Sequence, residues 1–280
     1  LSQPAAGNYY FVEEQSPFGY VRAAELPFAI VDTLDIQKIE LVNELILGQV
    51  EIIKTDKRNP EQVLSGARFR LSNLDTNVAT ILITDSDGRA VSSPVPIGGI
   101  GTDGAVSLYH FRIQEVEAPD GYLLDPTVHD FQFNIKTDQY QTLTYQYESA
   151  DSPNKVIISK KQLTTKEELP GASLEVRRVT EMVDKDGTAI RIDGDVIESW
   201  ISTEVPHELE CLTEGLYVLI ETRAPEGYIE AEKVYFTISG NMTVADIPMV
   251  EMFDDDTKIE IRKVDSENGN PLKGAKMQLI

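Results

Sequence analysis

The chain has a single cysteine, Cys211, and a single tryptophan, Trp200, in 280 residues. A lone cysteine forms no internal disulfide, so any covalent staple within the chain must come from other chemistry. Its setting, "HELECLTE" with Leu212 beside it, reads as a small buried hydrophobe and not a nucleophile. No apolar run reaches the roughly 18 residues that a membrane-spanning helix needs. The opening stretch, "LSQPAAGNYY", lacks a basic segment followed by an apolar one, so no signal peptide is visible in it. Basic residues are scarce beside acidic ones, 25 against 47, for a net charge of −22. Such a chain repels nucleic acid and anionic membrane surfaces, and neither is expected as a partner. The three histidines, His110, His129 and His207, show no zinc spacing. There is no nucleophile elbow and no phosphate loop, so turnover of an external substrate is not expected and no cofactor is implied. The acidic stretches "DDDT" (254–257) and "DKDG" (184–187) lack the regular ligand spacing and closing glutamate of calcium loops. They read as turns, and no metal site is expected.

What the sequence does contain is itself, repeated. "VEIIKTD" (50–56), "VIISKKQ" (156–162) and "IEIRKVD" (259–265) are one element. Each is followed, after a turn-like stretch, by "LSGARFRL", "LPGASLEV" or "LKGAKMQL". A Glu-x-x-Ala/Ser-Pro-x-Gly-Tyr element recurs at 13–20, 115–122 and 221–228. The closing segments are "IQKIELVNELI", "TLTYQYESAD" and "IPMVEMFDDD". Lys54 precedes Glu115 by the same spacing as Lys160 precedes Glu221. The expected organisation is the back half of one repeat at 1–47, complete repeats at 48–154 and 155–256, and the start of another at 257–280. The segments are short, rich in Val, Ile, Thr, Tyr and Phe, and alternate with period two between turn signals such as "DSDG", "APDG" and "APEG". This predicts an all-β fold of tandem β-sandwich repeats with about seven strands each.

Alternate residues of a strand share a face, and in each repeat polar residues fall on the apolar face. In "HFRIQE" the inward set is Phe111, Ile113 and Glu115. Lys54 is in phase with Val50 and Ile52, Lys160 with Val156 and Ile158, and Lys263 with Ile259 and Ile261. On the closing strands Asn43 is in phase with Ile39 and Leu41, and Asp254 with Val250 and Met252. Burying such groups costs several kcal/mol each unless they are paired or neutralised. One such lysine reads as a strand-end side chain snorkelling to water. Recurrence at matching phase and spacing makes them a set.

The strand lysine, "L-x-G-A", "E-x-x-A-P-x-G-Y" and the closing "V-x-M-x-D" or "V-N" together resemble the Cna B-type (prealbumin-like, SpaA-type pilin) domains of Gram-positive surface proteins. The resemblance spans essentially the whole chain. It implies Ig-like, prealbumin-like sandwiches in which the first-strand lysine joins the last-strand Asn or Asp through an intramolecular isopeptide bond. A glutamate on the opposing sheet promotes the reaction. Carried onto this chain, Lys160, Glu221 and Asp254 make one full set, and Lys54 and Glu115 part of another. There the closing strand places Ser149, which carries no acyl group, at the aligned position and Asp151 two residues later. Either Asp151 serves across a shifted or bulged strand, or that repeat is not cross-linked. Glu13 and Asn43 belong to a repeat whose lysine would lie upstream, and the partners of Lys263 would lie downstream.

The resemblance implies a stalk or pilin-like segment on the extracellular, cell-wall-attached surface of a Gram-positive bacterium. Its partners would be neighbouring repeats and sortase-linked pilin subunits. The alternative is an adhesin region that contacts a host protein or glycan through the long stretches before each glutamate strand. Those stretches are "NLDTNVATILITDSDGRAVSSPVPIGGIGTDG" and "EMVDKDGTAIRIDGDVIESWIS"; Trp200, in the second, is expected in the core.

Overall fold

The computed structural model describes residues 4–101, 104–135 and 142–278. The chain divides into two compact units, Leu1–Lys155 with Glu210–Glu214 and Ser239–Ile247, and Val156–Leu209 with Gly215–Ile238 and Pro248–Ile280. Among the described residues the helical content is one 3₁₀ turn, Val244–Asp246. Everything else regular is strand, as the period-two patterning predicts.

In the first unit, β1 (Gly7–Phe11) and β2 (Leu26–Ile30) form an antiparallel pair. The sandwich proper starts at β3 (Leu47–Asp56), followed by β4 (Arg68–Asn73), β5 (Val78–Ile83), β6 (Arg89–Val91) and the short β7 (Val95–Pro96). A small hairpin, β8 (Gly98–Ile100) with β9 (Val106–Leu108), leads to β10 (Phe111–Glu117), β11 (Val128–Phe131) and β12 (Leu143–Asp151). One sheet has the order β12-β3-β6, with β7 also on β3, and the other has β11-β10-β4-β5. Both sheets turn apolar side chains onto one core: Val50 and Ile52 from β3, Phe69 and Leu71 from β4, Phe111 and Ile113 from β10. The burial of β3 alternates without a break from Gly48 to Asp56, so its lysine is carried inward by the same pleat that buries its isoleucine.

The second unit repeats the plan. Its strands are β13 (Lys155–Gln162), β14 (Ser173–Val183), β15 (Ala189–Ile201), β16 (His207–Glu210), β17 (Gly215–Arg223), β18 (Tyr228–Ile229), β19 (Val234–Ile238) and β20 (Met249–Asp256). The sheets are β16-β13-β20-β18 and β15-β14-β17-β19. Val156, Ile158, Val250 and Met252 from the first, and Leu174, Val176, Leu219 and Ile238 from the second, are all buried.

In each complete repeat the first and last strands lie side by side and parallel: β3 with β12, β13 with β20. The two parallel ladders have one register. Lys54 stands opposite Ser149, and Lys160 stands opposite Met252. Asp151 and Asp254 each lie two residues beyond. Asp151 is therefore the counterpart of Asp254, while Ser149 is the counterpart of Met252. The alignment that set Ser149 at the acyl position is two residues out of register, and β12 pairs along its whole length with no shift or bulge.

Several expectations are corrected. The segment 36–46 forms no closing strand; only Leu45 bridges, to Tyr20, and Ile39 and Leu41 are exposed. The other two closing strands ladder onto a lysine strand, and among the described residues 4–46 there is none. Likewise 259–265 is not laddered, and Ile259, Ile261 and Lys263 are exposed. Cys211 is exposed, in a turn after β16 with φ of +57°, where the alternation that would have buried it stops. Trp200 is half-buried, with its ring stacked on His207 at 4.2 Å. The two long stretches are largely β-structure, β5 to β8 in one and the β14–β15 ribbon in the other; Thr102 and Asp103 of the first lie outside the described residues.

Candidate functional site: two buried lysine–carboxyl clusters

The Pro-x-Gly-Tyr corner builds the site from the backbone up. In all three copies the Tyr N–H donates to the Pro carbonyl, at 3.1 Å for Tyr20, 3.0 Å for Tyr122 and 3.2 Å for Tyr228. The third turn position, Gly19, Gly121 or Gly227, has φ of +84°, +84° or +87°, a conformation glycine adopts without strain. The turn sends the chain back past the glutamate that precedes it. A backbone N–H ten residues on then donates to one glutamate oxygen: Ala23 to Glu13 Oε2 at 2.6 Å, Asp125 to Glu115 Oε2 at 3.0 Å, Ala231 to Glu221 Oε2 at 2.7 Å. Reading side chains missed these donors because they are backbone groups on unlike residues. The signal that could have found them is the fixed spacing past the glycine.

With one oxygen held, the other points at a lysine. In the first unit Lys54 Nζ, fully buried, is 2.9 Å from Glu115 Oε1, hydrogen-bonds Asp151 Oδ1, and donates to Ser149 Oγ at 2.9 Å. The Phe69 ring, opposite Glu115 in the ladder, lies with its centroid 5.4 Å from Nζ. In the second unit Lys160 Nζ is 3.0 Å from Glu221 Oε1 and hydrogen-bonds Asp254 Oδ1. The residue opposite Glu221 is Leu174. Both clusters are almost wholly sealed from water.

Their electrostatics are unresolved as they stand. Each cluster sets two carboxyl groups against one amine. Among the described residues, the buried side-chain oxygens without a hydrogen-bond partner are Glu115 Oε1, Asp151 Oδ2, Glu221 Oε1 and Asp254 Oδ2, two from each cluster. Although Glu115 Oε1 and Glu221 Oε1 are close to the lysine nitrogens, they lie at angles outside hydrogen-bond geometry. Burial pushes Glu115 up to about 7, helped by the charge of Asp151 and opposed by Lys54. Burial also raises Asp151, against the pull of Lys54. Asp254 is pushed up to about 6 by burial, with Glu221 adding and Lys160 opposing. A proton held between the two carboxyl groups of a cluster would relieve both the charge excess and the orphaned oxygens.

Of the remaining expected residues, Glu13 and Asn43 are brought together: Asn43 Nδ2 donates to Glu13 Oε2 at 2.7 Å and to the Val21 carbonyl at 3.0 Å. They are half-buried and have no lysine beside them. Lys263 is exposed and meets none of the others. Of the two acidic stretches read as turns, 184–187 closes on itself, with Asp184 Oδ1 accepting from the N–H groups of Asp186 and Thr188; 254–257 does not, because Asp254, Asp255 and Asp256 end β20 and Asp254 is buried beside Lys160. Among the described residues no group of three or more His, Cys, Asp or Glu side chains could hold a metal ion.

Each cluster sets an amine in contact with a carboxyl oxygen of the neighbouring strand and a second carboxyl beside it, an arrangement chemically capable of amide formation, in the core of a β-sandwich whose first and last strands are parallel neighbours. The fold defines a class, the tandem prealbumin-type β-sandwich. Residues 48–149 and 154–250 match the SpaA prealbumin-like fold domain family, and the chain belongs to that family. No curated protein matches the sequence. Among solved structures, the Bacillus anthracis TIE protein is similar with a TM-score of 0.54 and 21% identity, over 90% of this chain and 42% of that one. The chain thus spans less than half the length of that relative. The shaft pilin SpaA of Lactobacillus rhamnosus GG (TM-score 0.34, 17% identity, 77% of this chain and all of that one) and a streptococcal ancillary pilin (0.32, 21%, 89% and 76%) are more distant.

Proposed function

We propose that the chain is a structural stalk or pilin-like segment of a bacterial cell-surface protein, stiffened by self-formed isopeptide bonds between Lys54 and Asp151 and between Lys160 and Asp254. The observation that carries this reading is the pair of sealed clusters, each with a lysine nitrogen in contact with the carboxyl of the neighbouring parallel strand. The neutral amine of Lys160 adds to Asp254 Cγ. The Nζ–Cγ bond forms, a Cγ–O bond of the protonated carboxyl breaks, and the hydroxyl leaves as water with one proton from the amine. Glu221 carries that proton and ends as it began, so the chemistry is a single turnover on the chain itself. Glu115 does the same for Lys54 and Asp151. Holding the reacting groups in contact supplies the effective molarity that replaces an activated acyl donor. Asn43, next to Glu13, would release ammonia in place of water on meeting a lysine.

The same reading takes the protein to be extracellular and attached to the cell wall of a Gram-positive organism, with pilin subunits or neighbouring repeats as partners. The test is the intact mass of the denatured chain beside a Glu115→Ala/Glu221→Ala double variant. The expected result is a wild-type mass short by two waters and a double variant at full mass. Full mass in both would remove the covalent mechanism.

A second reading, a ligand-binding adhesin region, is favoured by one feature of the first unit. An apolar cleft of about 320 Å³ opens among Leu71, Val78, Thr80, Val95, Tyr109 and Phe111, three of which belong to the long stretch before the glutamate strand. Its test is binding of host-surface proteins and glycans to wild type but not to a Val78→Asp variant.

A further inference from the structure

The two clusters are built alike in backbone, and two of the side-chain differences around the lysine act in one direction. We infer that Ser149 and Phe69 are positioning residues that hold Lys54 in its unreactive ammonium form, so that Lys54–Asp151 is the slow bond of this chain and Lys160–Asp254 the fast one. The inference deepens the isopeptide reading and rests on it.

Only the free amine, with its lone pair exposed, can attack a carboxyl carbon. An ammonium has three N–H donors and no lone pair. Lys54 Nζ donates to Ser149 Oγ and hydrogen-bonds Asp151 Oδ1, with Glu115 Oε1 at 2.9 Å but outside hydrogen-bond geometry. Lys160 Nζ hydrogen-bonds Asp254 Oδ1, with Glu221 Oε1 at 3.0 Å likewise out of line. The additional acceptor at Lys54 favours the charged form, because a hydrogen bond from an ammonium is stronger than one from a neutral amine; Lys160 lacks it because Met252 occupies the place of Ser149 in an identical parallel register. The second difference lies across the sandwich. The Phe69 ring faces Lys54 Nζ at 5.4 Å, close enough for its π face to favour a cation, while Leu174 at the same register offers no such field. A hydrogen bond to a charged donor is of a size that converts to about tenfold or more in the ammonium–amine balance, and so in rate.

A chain so arranged closes its repeats in sequence. The second repeat locks on folding, and the first stays longer as a reversible ion cluster, free to unfold and refold before it is sealed.

The test follows each bond separately in the full chain. Newly synthesised protein is pulse-labelled, chased at neutral pH, quenched in acid denaturant and digested, and the two branched peptides are quantified by mass spectrometry. In wild type, Lys160–Asp254 should mature about tenfold or more ahead of Lys54–Asp151. Ser149→Ala should speed Lys54–Asp151 by about that factor while leaving Lys160–Asp254 unchanged, and Ser149→Thr, which keeps the hydroxyl, should restore the slow rate. Phe69→Leu should also speed it, and Met252→Ser should slow Lys160–Asp254. A purely structural role for Ser149 predicts the reverse sign, a slower bond in Ser149→Ala. Equal half-times for the two bonds in wild type, or rates that ignore the Ser149 hydroxyl, would overturn the inference and leave the isopeptide reading standing. Absence of both branched peptides from every sample would remove the isopeptide reading, and this inference with it.

Discussion

Replacing Glu221 by alanine should cost the second unit far more than one hydrogen bond, and the size of the loss separates a cross-linked repeat from an ion-paired one. Glu221 accepts from the Ala231 N–H at 2.7 Å and approaches Lys160 at 3.0 Å. Leaving that N–H without its acceptor costs about 1–3 kcal/mol. If Glu221 also promotes the bond, the variant loses a closure joining residues 94 apart. On the chain-entropy account of cross-links this is worth about 4–5 kcal/mol. The sum, about 5–8 kcal/mol, compares with a total stability of about 5–15 kcal/mol for an ordinary domain. Each kcal/mol moves the midpoint of a domain near 100 residues by about 4–8 °C. The variant's second unit should therefore melt at least about 20 °C below wild type in differential scanning calorimetry of the full chain. Glu221→Gln keeps an oxygen for the Ala231 N–H but has no acidic proton to shuttle, so it should lose the cross-link term alone. The reasoning is refuted if Glu221→Ala has the wild-type mass and a loss of no more than about 3 kcal/mol, which the hydrogen bond explains by itself.

Lys54→Met should make the first unit sensitive to alkali. Burial raises the Glu115 carboxyl from an ordinary 4.5 to about 7, and Lys54, one of the groups that lower it, is gone in the variant. A raised carboxyl contributes stability that is fully present below its unfolded value and lost as pH rises through its folded value. The urea midpoint should thus fall between pH 4.5 and 8, by the equivalent of roughly 3 kcal/mol, and a midpoint flat across that range would count against a protonated Glu115. Gly227→Ala should cost about 1–2 kcal/mol of urea stability, because its φ of +87° strains any residue with a Cβ although nothing lies within 4 Å of the added atom. Under force the wild-type chain should withhold the residues between Lys54 and Asp151, 97 apart, or about 330 Å at 3.3–3.6 Å per residue, and Lys54→Met should release that length in single-molecule extension traces.

The fold was legible because a β-sandwich writes its pleat into the chain. The inward phase of Val50, Ile52 and Lys54, and of Phe111, Ile113 and Glu115, is the phase found. The grouping of lysine, glutamate and aspartate was legible for the same reason, joined to a constant spacing. Register was not. Ser149 and Asp151 share a face, so alternation cannot say which of them stands opposite Lys54; only the parallel backbone ladder decides that. The backbone donors to the glutamates, on Ala23, Asp125 and Ala231, leave no side-chain trace. Cys211 was misread because a turn residue with positive φ has left the alternation that would have buried it. Segment 36–46 carries the apolar pattern of a strand, but a pattern supplies no hydrogen-bond partner, and only its end, residues 44–46, pairs, with residues 19–21.

Stability alone gives a poor account of these clusters. A buried ion pair is often no better than well-packed apolar residues of the same volume, and a half-satisfied buried network is worse. Here two carboxyl groups share one amine in each core, with two oxygens per cluster left without a hydrogen bond. Leucine or methionine at Lys160, Glu221 and Asp254 would pack against Ile158, Leu174 and Val250 with no such debt. Condensation would change the balance: the amine and one carboxyl would become a neutral amide, and the remaining glutamate would keep its backbone donor. The polar groups are costly as ions and well suited as reagents, and their placement between the first and last strands of each repeat is where a covalent bond would take up tension that would otherwise fall on the ladder between them.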